Sequence, residues 1–372
     1  MGQVLLLTLV LFFSPAVQQS TDITMRFNRA VEFQREGQLK PAADEYRAVL
    51  KIAPDYAEAH ANLGVVLAQL GRYEESVSAY ESALRLAPHL TPIHLNLGIA
   101  HYRADQFERA ADSFRSFLTS TPDHIQARQL LGLSLFELGR DTEAIPILEQ
   151  TVNKSPDDAA ILYALGLAYM RQRYAGVDEI IERLAKAPNG HPAARLLRGQ
   201  FYLGRFEYER ALTELEAAAK LNPELPRLQY SLGLAYYSTH RNKEAVAAFE
   251  AELRRRPRDF STLYYLAFIH EAQDNLDDAR RRLDAALRLE PQSPEGNVLL
   301  GKILVKQERF AEAVGPFERA VAADSQDPLK RWHLARVYRQ LNRQQDADRE
   351  FAEMKRLNAL KLKDDRARTP KQ

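Results

Sequence analysis

Three asparagines, Asn28, Asn62 and Asn96, recur at intervals of 34 residues. A carboxamide carries both a donor and an acceptor, so a row of them could hold the N–H and C=O groups of a bound peptide whatever its side chains. Three such contacts at about 0.5–1.5 kcal/mol each fall short of the ~8 kcal/mol of a micromolar complex, and apolar anchors are therefore required. Near the other end stand Lys302, Lys306, Arg336 and Arg339, side chains of a type that can seat a carboxylate or an acidic stretch. Covalent and metal chemistry find little to work with. The string Gly296-Asn297-Val298-Leu299-Leu300-Gly301-Lys302-Ile303 nearly spells a phosphate-binding loop, but its last position must offer a hydroxyl to magnesium and Ile303 has none. It falls inside a predicted helix, where Gly301 is explained by close packing. His60 and His94 share a repeat position and do not form a ligand pair. The absence of cysteine removes disulfides, thiolate nucleophiles and cysteine zinc sites. No nucleophile elbow or isolated acid pair points to catalysis. The expectation is a protein without catalytic residues, cofactor or metal.

The chain that must position these side chains has 372 residues, 51 basic and 50 acidic, for a formal charge of +1. Such a balance gives no global field toward nucleic acid or anionic lipid, so neither is an expected partner. Two basic runs, Arg254-Arg255-Arg256-Pro257-Arg258 and Arg280-Arg281-Arg282, fall on or beside predicted second helices and read as a solvated outer face. With 45% hydrophobic and 27% charged residues the chain is too apolar to be disordered.

Its organisation is periodic. Pro54, Pro88, Pro122 and Pro156 stand 34 residues apart, and Pro223, Pro257 and Pro291 resume the spacing. In the same frame Gly64, Gly98, Gly132, Gly166, Gly199, Gly233 and Gly301 take the eighth position of a unit, with Ala30, Ala267 and Ala335 in the remaining units. Alanine recurs at the twentieth position, and Tyr46, Tyr80, Phe114, Phe249, Phe317 or Phe351 follows it four residues later, or else a leucine. The spacing predicts two antiparallel helices per unit, with a turn near Gly37, Gly71 or Gly139 and a proline ending the second helix. A residue without a Cβ at position eight lets the helices approach, and the aromatic fills the wedge beside it. No hairpin buries its own apolar face, so neighbours must stack.

Leu63-Gly64, Tyr73, Tyr80 and Pro88 show the pattern of the tetratricopeptide-repeat family, which the chain resembles over residues 23 to 361. The resemblance implies an all-α, right-handed superhelical α-solenoid of about ten helix pairs, with units starting at Ile23, Ala57, Thr91, Ile125, Ala159, Pro192, Pro226, Phe260, Pro294 and Pro328. It also implies that first helices line a concave side, with positions two, five, six, nine, twelve and thirteen facing inward. Asn28, Asn62 and Asn96 would then be rungs of a ladder, similar to that in the superhelical domain of O-linked N-acetylglucosamine transferases. The fourth unit has Leu130 in that place, and the catalytic domain of those enzymes has no counterpart here. Inward positions also carry the anchors Phe136, Tyr163, Tyr230, Tyr237, Tyr264, Tyr265, Phe268 and Trp332, about half of them expected to be accessible, and the bases Lys302, Lys306, Arg336 and Arg339.

The fifth unit departs from the pattern. Gly176 stands two places early for its small residue, which predicts two residues missing from the inter-helix turn and disturbed stacking from about Arg171 to Pro192. Either a soft joint or a smooth passage would accommodate this. Residues Val4 to Phe13 read VLLLTLVLFF, about 15 Å of helix against a ~30 Å hydrocarbon core, which is too short to span. With Ser14-Pro15-Ala16 behind it, this run reads as a secretory signal cleaved after Ala16, although no basic residue precedes it; an uncleaved anchor or a different start codon is the alternative. The expected organisation is a signal at 1–16, repeat units one to five at 23–190, units six to ten at 192–361 and a basic tail at 362–372. The functional expectation is a secreted or periplasmic scaffold, not an enzyme, that holds an extended segment of a partner protein in its groove during cell-envelope assembly or secretion. Binding of envelope carbohydrate through the inward tyrosines and tryptophan is the alternative.

Overall fold

The computed structural model describes residues 15–368, and among these it shows twenty α-helices and no strand. The first five pairs are α1 (Pro15–Arg35) with α2 (Leu39–Ile52), α3 (Ala57–Gln69) with α4 (Tyr73–Leu86), α5 (Thr91–Arg103) with α6 (Phe107–Ser120), α7 (Ile125–Glu137) with α8 (Asp141–Lys154), and α9 (Ala159–Gln172) with α10 (Val177–Lys186). The second five are α11 (His191–Gly204) with α12 (Tyr208–Leu221), α13 (Leu228–Ser238) with α14 (Asn242–Arg255), α15 (Phe260–Ala272) with α16 (Leu276–Leu289), α17 (Pro294–Lys306) with α18 (Phe310–Ala323), and α19 (Pro328–Gln340) with α20 (Gln344–Arg368). The all-α helix-pair architecture expected from the period is therefore present. The chain forms two compact units, one ending at Leu197 and the other beginning at Arg198. The proposed signal run and Ser14 lie outside the described residues. No helix among those described is long and apolar enough to cross a membrane.

Each pair turns on one left-handed residue at the fifteenth position of the repeat: Gly37, Gly71, Asp105, Gly139, Arg173, Phe206, His240, Asp274, Glu308 and Asn342 all have positive φ. Glycine and asparagine suit that conformation, whereas a bulky side chain there is strained. Phe206 is the extreme case, at φ 62° with 76% of its surface exposed, so no buried contact offsets the strain. Phe206→Gly is expected to stabilise the second unit by about 1 kcal/mol, read as a higher denaturation midpoint of the full chain.

Within the pairs, the wedge is built as the sequence predicts. An added Cβ on Gly98 would lie 2.6 Å from the Phe114 ring, one on Gly64 would lie 2.7 Å from Tyr80, and one on Gly233 would lie 2.6 Å from Phe249. These rings are fully buried. Only glycine lets the ring lie flat on the first helix. In the first unit Ala30, Ala42, Tyr46, Leu63, Val66 and Leu67 share one core. In the second, Phe249, Leu266, Leu283, Ile303, Phe317 and Tyr338 belong to a core that runs from α14 to α20.

The fifth pair absorbs its deletion differently from the expectation. Elsewhere one residue separates the left-handed residue from the second helix, but here three do, Tyr174, Ala175 and Gly176. Gly176 is itself left-handed, at φ 94°, and caps the start of α10, which has 10 residues where the second helices of most other pairs have 14. The missing residues come out of the first turn of that helix and not out of the link. Ile180 holds the usual core position, 3.3 Å from where a Cβ on Gly166 would lie, but Leu197 of α11 comes closer to it, at 2.4 Å. At the C-terminal end, α20 continues as helix through Arg368, past the expected end of the last repeat.

Candidate functional site

The second unit brings three of the four predicted basic residues, Lys302, Lys306 and Arg336, together at one cavity, and leaves Arg339 outside it. Lys302 and Lys306 lie one turn apart on α17, and Arg336 and Gln340 stand at the equivalent repeat positions on α19. Sequence reasoning treated the four bases alike, but the structure separates them. On α15, Glu271 is 4% exposed, and its carboxylate lies 3.6 Å from Lys302 Nζ and 3.1 Å from Lys306 Nζ. Lys306 also donates to the Glu271 carbonyl and to Asp274, each at 2.8 Å. Both lysines are thus neutralised from within. Arg336 instead lies 4.6 Å over the Trp332 ring, and Arg339 lies 5.9 Å from the centre of Phe351. Neither arginine meets a carboxylate among the described residues.

Glu271 was missed in the sequence, although a signal existed. It occupies an inward position of the eighth unit, and Lys302 and Lys306 straddle the residue one period further on. His333 was missed too. Its ring lies parallel to Phe317 at 5.3 Å and edge-on to Trp332 at 4.9 Å. Burial, helped by the charges of Lys302 and Arg336 and opposed by Asp327, lowers its pKa to about 4, so the ring is neutral near pH 7.

Two cavities flank Lys302 and His333. One of about 190 Å³ has a floor of Val305, Phe310, Phe317 and Val337 under a rim that includes Lys306, Arg336, Gln340 and Glu271. The other, about 210 Å³, is walled by Tyr264, Phe268, Val298, Leu299 and Leu329, with Glu295, Asp327 and Lys330 at its edge. Lys330 is held by Asp324 at 2.7 Å and Asp327 at 2.8 Å. Concave, mostly apolar walls with a few convergent charges are the usual form of a ligand site.

The expected aromatic anchors divide in the same way. Tyr265 stacks on Phe249 at 5.6 Å and meets Tyr230 and Tyr237 at 6.2 and 6.3 Å, so these three pack between neighbouring pairs. Burial pushes the Tyr230 hydroxyl up to about 12. By contrast Tyr264 and Phe268 line the second cavity, and Trp332 lines a shallow groove with Leu329 and Met354. The outer basic run is largely self-neutralised, Arg280 on Asp284, Arg281 on Asp278 and Arg282 on Glu250.

In the first unit Asn28 is exposed, while Asn62 and Asn96 are half-buried. Tyr46 donates to Gln34 Oε1 at 2.8 Å, and its hydroxyl is also hydrogen-bonded to Asn62. That rung therefore helps hold the wedge ring in place. Phe136 is half-buried and lies under the Arg171 guanidinium at 4.3 Å, and Arg171 reaches Asp141 at 2.8 Å. Tyr163 is half-buried in α9.

The start of α15 fixes the wall on which Glu271 and Tyr264 stand. Asp259 caps it, accepting from the Thr262 amide at 2.8 Å and hydroxyl at 2.7 Å, and it binds Arg227 from the preceding pair. Burial raises the pKa of this carboxyl, but those hydrogen bonds and the Arg227 charge outweigh it, so the folded value lies below the ordinary one. A depressed pKa contributes stability above the unfolded value, near 3.9, and that stability is lost as pH falls through the folded value. Asp259→Ala is expected to cost about 2 kcal/mol at pH 7. The gap to wild type should close below about pH 4, as read by denaturant titrations at the two pH values.

Family models described as tetratricopeptide repeat match residues 27–90, 95–153 and 266–328, and one described as TPR repeat matches 202–240, together more than half of the chain. Over 204 residues the chain is 25% identical to the BBSome complex member BBS4 of Bos taurus, which covers 54% of this chain and 39% of that protein. Over 150 residues it is 29% identical to tetratricopeptide repeat protein 21B of Homo sapiens, covering 38% and 11%. The chain spans less than half the length of these relatives. Among solved structures, the human IFIT1 dimer with m7Gppp-AAAA superposes with a TM-score of 0.53 at 16% identity, over 91% of this chain and 90% of that one, a likeness of fold.

Proposed function

The chain belongs to the tetratricopeptide-repeat family, and from that premise we propose that it is a non-catalytic scaffold holding an extended segment of a partner protein on its first-helix face. The observation that carries this reading is the pair of adjoining cavities on α15, α17 and α19, apolar in their floors and charged at their rims. Such a surface can bind side chains and orient an extended chain. Asn28 and Asn96, without side-chain partners among the described residues, could take main-chain groups in the first unit. A relative named as a member of a complex supports an assembly role. The carbohydrate alternative is not favoured, because Tyr230, Tyr237 and Tyr265 pack on one another between neighbouring pairs and the Trp332 ring carries the Arg336 guanidinium over one face.

Export to the envelope or beyond is part of the same proposal, supported by the apolar run Val4 to Phe13 and the small residues after it. N-terminal sequencing of the mature protein should then begin at Val17, and retention of Met1 would remove this part. For the groove itself, the full chain is presented with a display library of random linear peptides. Micromolar binders that compete with one another are expected. A library that yields none, while folded proteins bind, would defeat the reading.

A further inference from the structure

We propose that the cavity walled by Tyr264, Phe268, Val298, Leu299 and Leu329 takes an arginine side chain of the guest segment, with the Glu295 carboxylate as its counter-ion. This specificity deepens the groove reading above and rests on it. At about 210 Å³ the cavity has room for one long side chain, since about 150 Å³ is enough for a benzene ring. It adjoins the other cavity, with Lys302 and His333 common to both, so the surface continues beyond one side chain. That continuity favours an arginine carried on a chain over a free amine.

The charges around this cavity decide the sign of its guest. Lys302 lies 3.6 Å from the Glu271 carboxylate, and Lys330 is held by Asp324 at 2.7 Å and Asp327 at 2.8 Å. Asp327 also accepts from the Leu329 amide at 2.9 Å. His333 is neutral near pH 7 and adds no charge. Glu295 alone is unanswered: the Ser293 hydroxyl approaches it at 3.5 Å, but no cation among the described residues forms an ion pair with it. Burial, then the charges of Tyr265 and Glu295, push the Tyr264 hydroxyl up to about 12, so the field of Glu295 reaches from α17 across to α15. A guest for this place needs an apolar stem and a cationic head. Arginine supplies both, and its planar fork can stack on an aromatic ring while giving two hydrogen bonds to a carboxylate. Lysine has the stem and the charge without the plane or the fork.

The probe is a fluorescein-labelled peptide of three Leu-Arg repeats between Gly-Ser ends, titrated by anisotropy against the full chain. Its comparators carry citrulline, the neutral isostere, or lysine or glutamate in place of arginine. The citrulline and glutamate peptides are expected to bind at least tenfold more weakly, with the lysine peptide in between. Glu295→Gln should bring the arginine peptide down to the level of the citrulline peptide and leave the latter unchanged. Asp277→Asn, which removes an exposed carboxylate from α16, should change neither. Glu295 also stands in the first turn of α17, where a negative charge favours the helix. The readout is therefore the ratio of arginine to citrulline affinity, which a loss of helix stability does not imitate. Equal binding of those two peptides, or an unchanged ratio in Glu295→Gln, would overturn the proposal. So would displacement of the probe by micromolar N-acetylarginine amide, which would assign the cavity to a small molecule, or self-association abolished by Glu295→Gln, which would assign it to a second copy. If library peptides still bind the first-helix face while arginine brings no advantage, this specificity fails and the groove reading stands. If no linear peptide binds at all, both fail.

Discussion

Truncating Phe317 to Ala is expected to cost the second unit about 3–5 kcal/mol, the range for removing a fully buried aromatic from a packed core. The ring is 1% exposed, lies where a side chain on Gly301 would have to be, and supports His333 on its other face. Its loss therefore opens a void between α17 and α18 and removes the backing of the partition between the two cavities. Phe317→Leu should cost less than about 1.5 kcal/mol, since Leu148, Leu215 and Leu283 fill the same slot in other pairs. Repeat arrays need not unfold in one step, so the readout is hydrogen exchange resolved along the chain together with the denaturant midpoint. Loss of protection centred on α17 to α19 is the expected pattern. Uniform loss, or a change below 1 kcal/mol, would mean that the wedge is not what joins the helices of a pair.

The second large effect concerns the last pair. Arg331 Nη1 and Glu350 Oε2 meet at 2.7 Å, with side chains only 15% and 10% exposed, and this ion pair ties α20 to α19. Removing one partner of a buried pair leaves an uncompensated charge and typically costs about 3–5 kcal/mol. Glu350→Ala is expected at the low end, about 3 kcal/mol, because Arg331 still donates to the Ser325 carbonyl at 3.3 and 3.2 Å. Replacing both partners, Arg331→Met with Glu350→Leu, should recover most of the loss, since an apolar pair of similar volume carries no desolvation penalty. A double-mutant cycle on denaturant midpoints measures the coupling. Because α19 also carries Arg336, Glu350→Ala should raise the dissociation rate of a bound peptide as well.

Much of the fold was legible because each repeat signal has a local cause. Proline stops the second helix, glycine admits the ring, and alanine lets the helices close, so the phase of these residues marks the hairpins before any contact is known. The starts read at Ala57, Thr91, Ile125, Ala159, Phe260, Pro294 and Pro328 are the first residues of their helices. The turn was less legible. Arg173, Phe206 and Glu308 adopt the left-handed conformation that their types disfavour, imposed by the pairing of the helices on either side. In the fifth pair Gly176 showed that residues were missing but not which element would shorten.

The candidate site could be read only in part. Tyr264 and Tyr265 are neighbours in sequence, but one lines a cavity and the other stacks on Phe249, a difference set by how adjacent pairs nest. Likewise the sequence shows four bases without showing that Glu271 disarms two of them, because the carboxylate arrives from another repeat.

The most direct test of the central claim is site-specific photo-crosslinking on the full chain bound to a peptide selected from the library. A photoreactive residue at Gln340, exposed on the first-helix face of α19, should capture the peptide, and one at Arg281, 78% exposed on α16, should not. Capture at Arg281 with none at Gln340 would contradict the account.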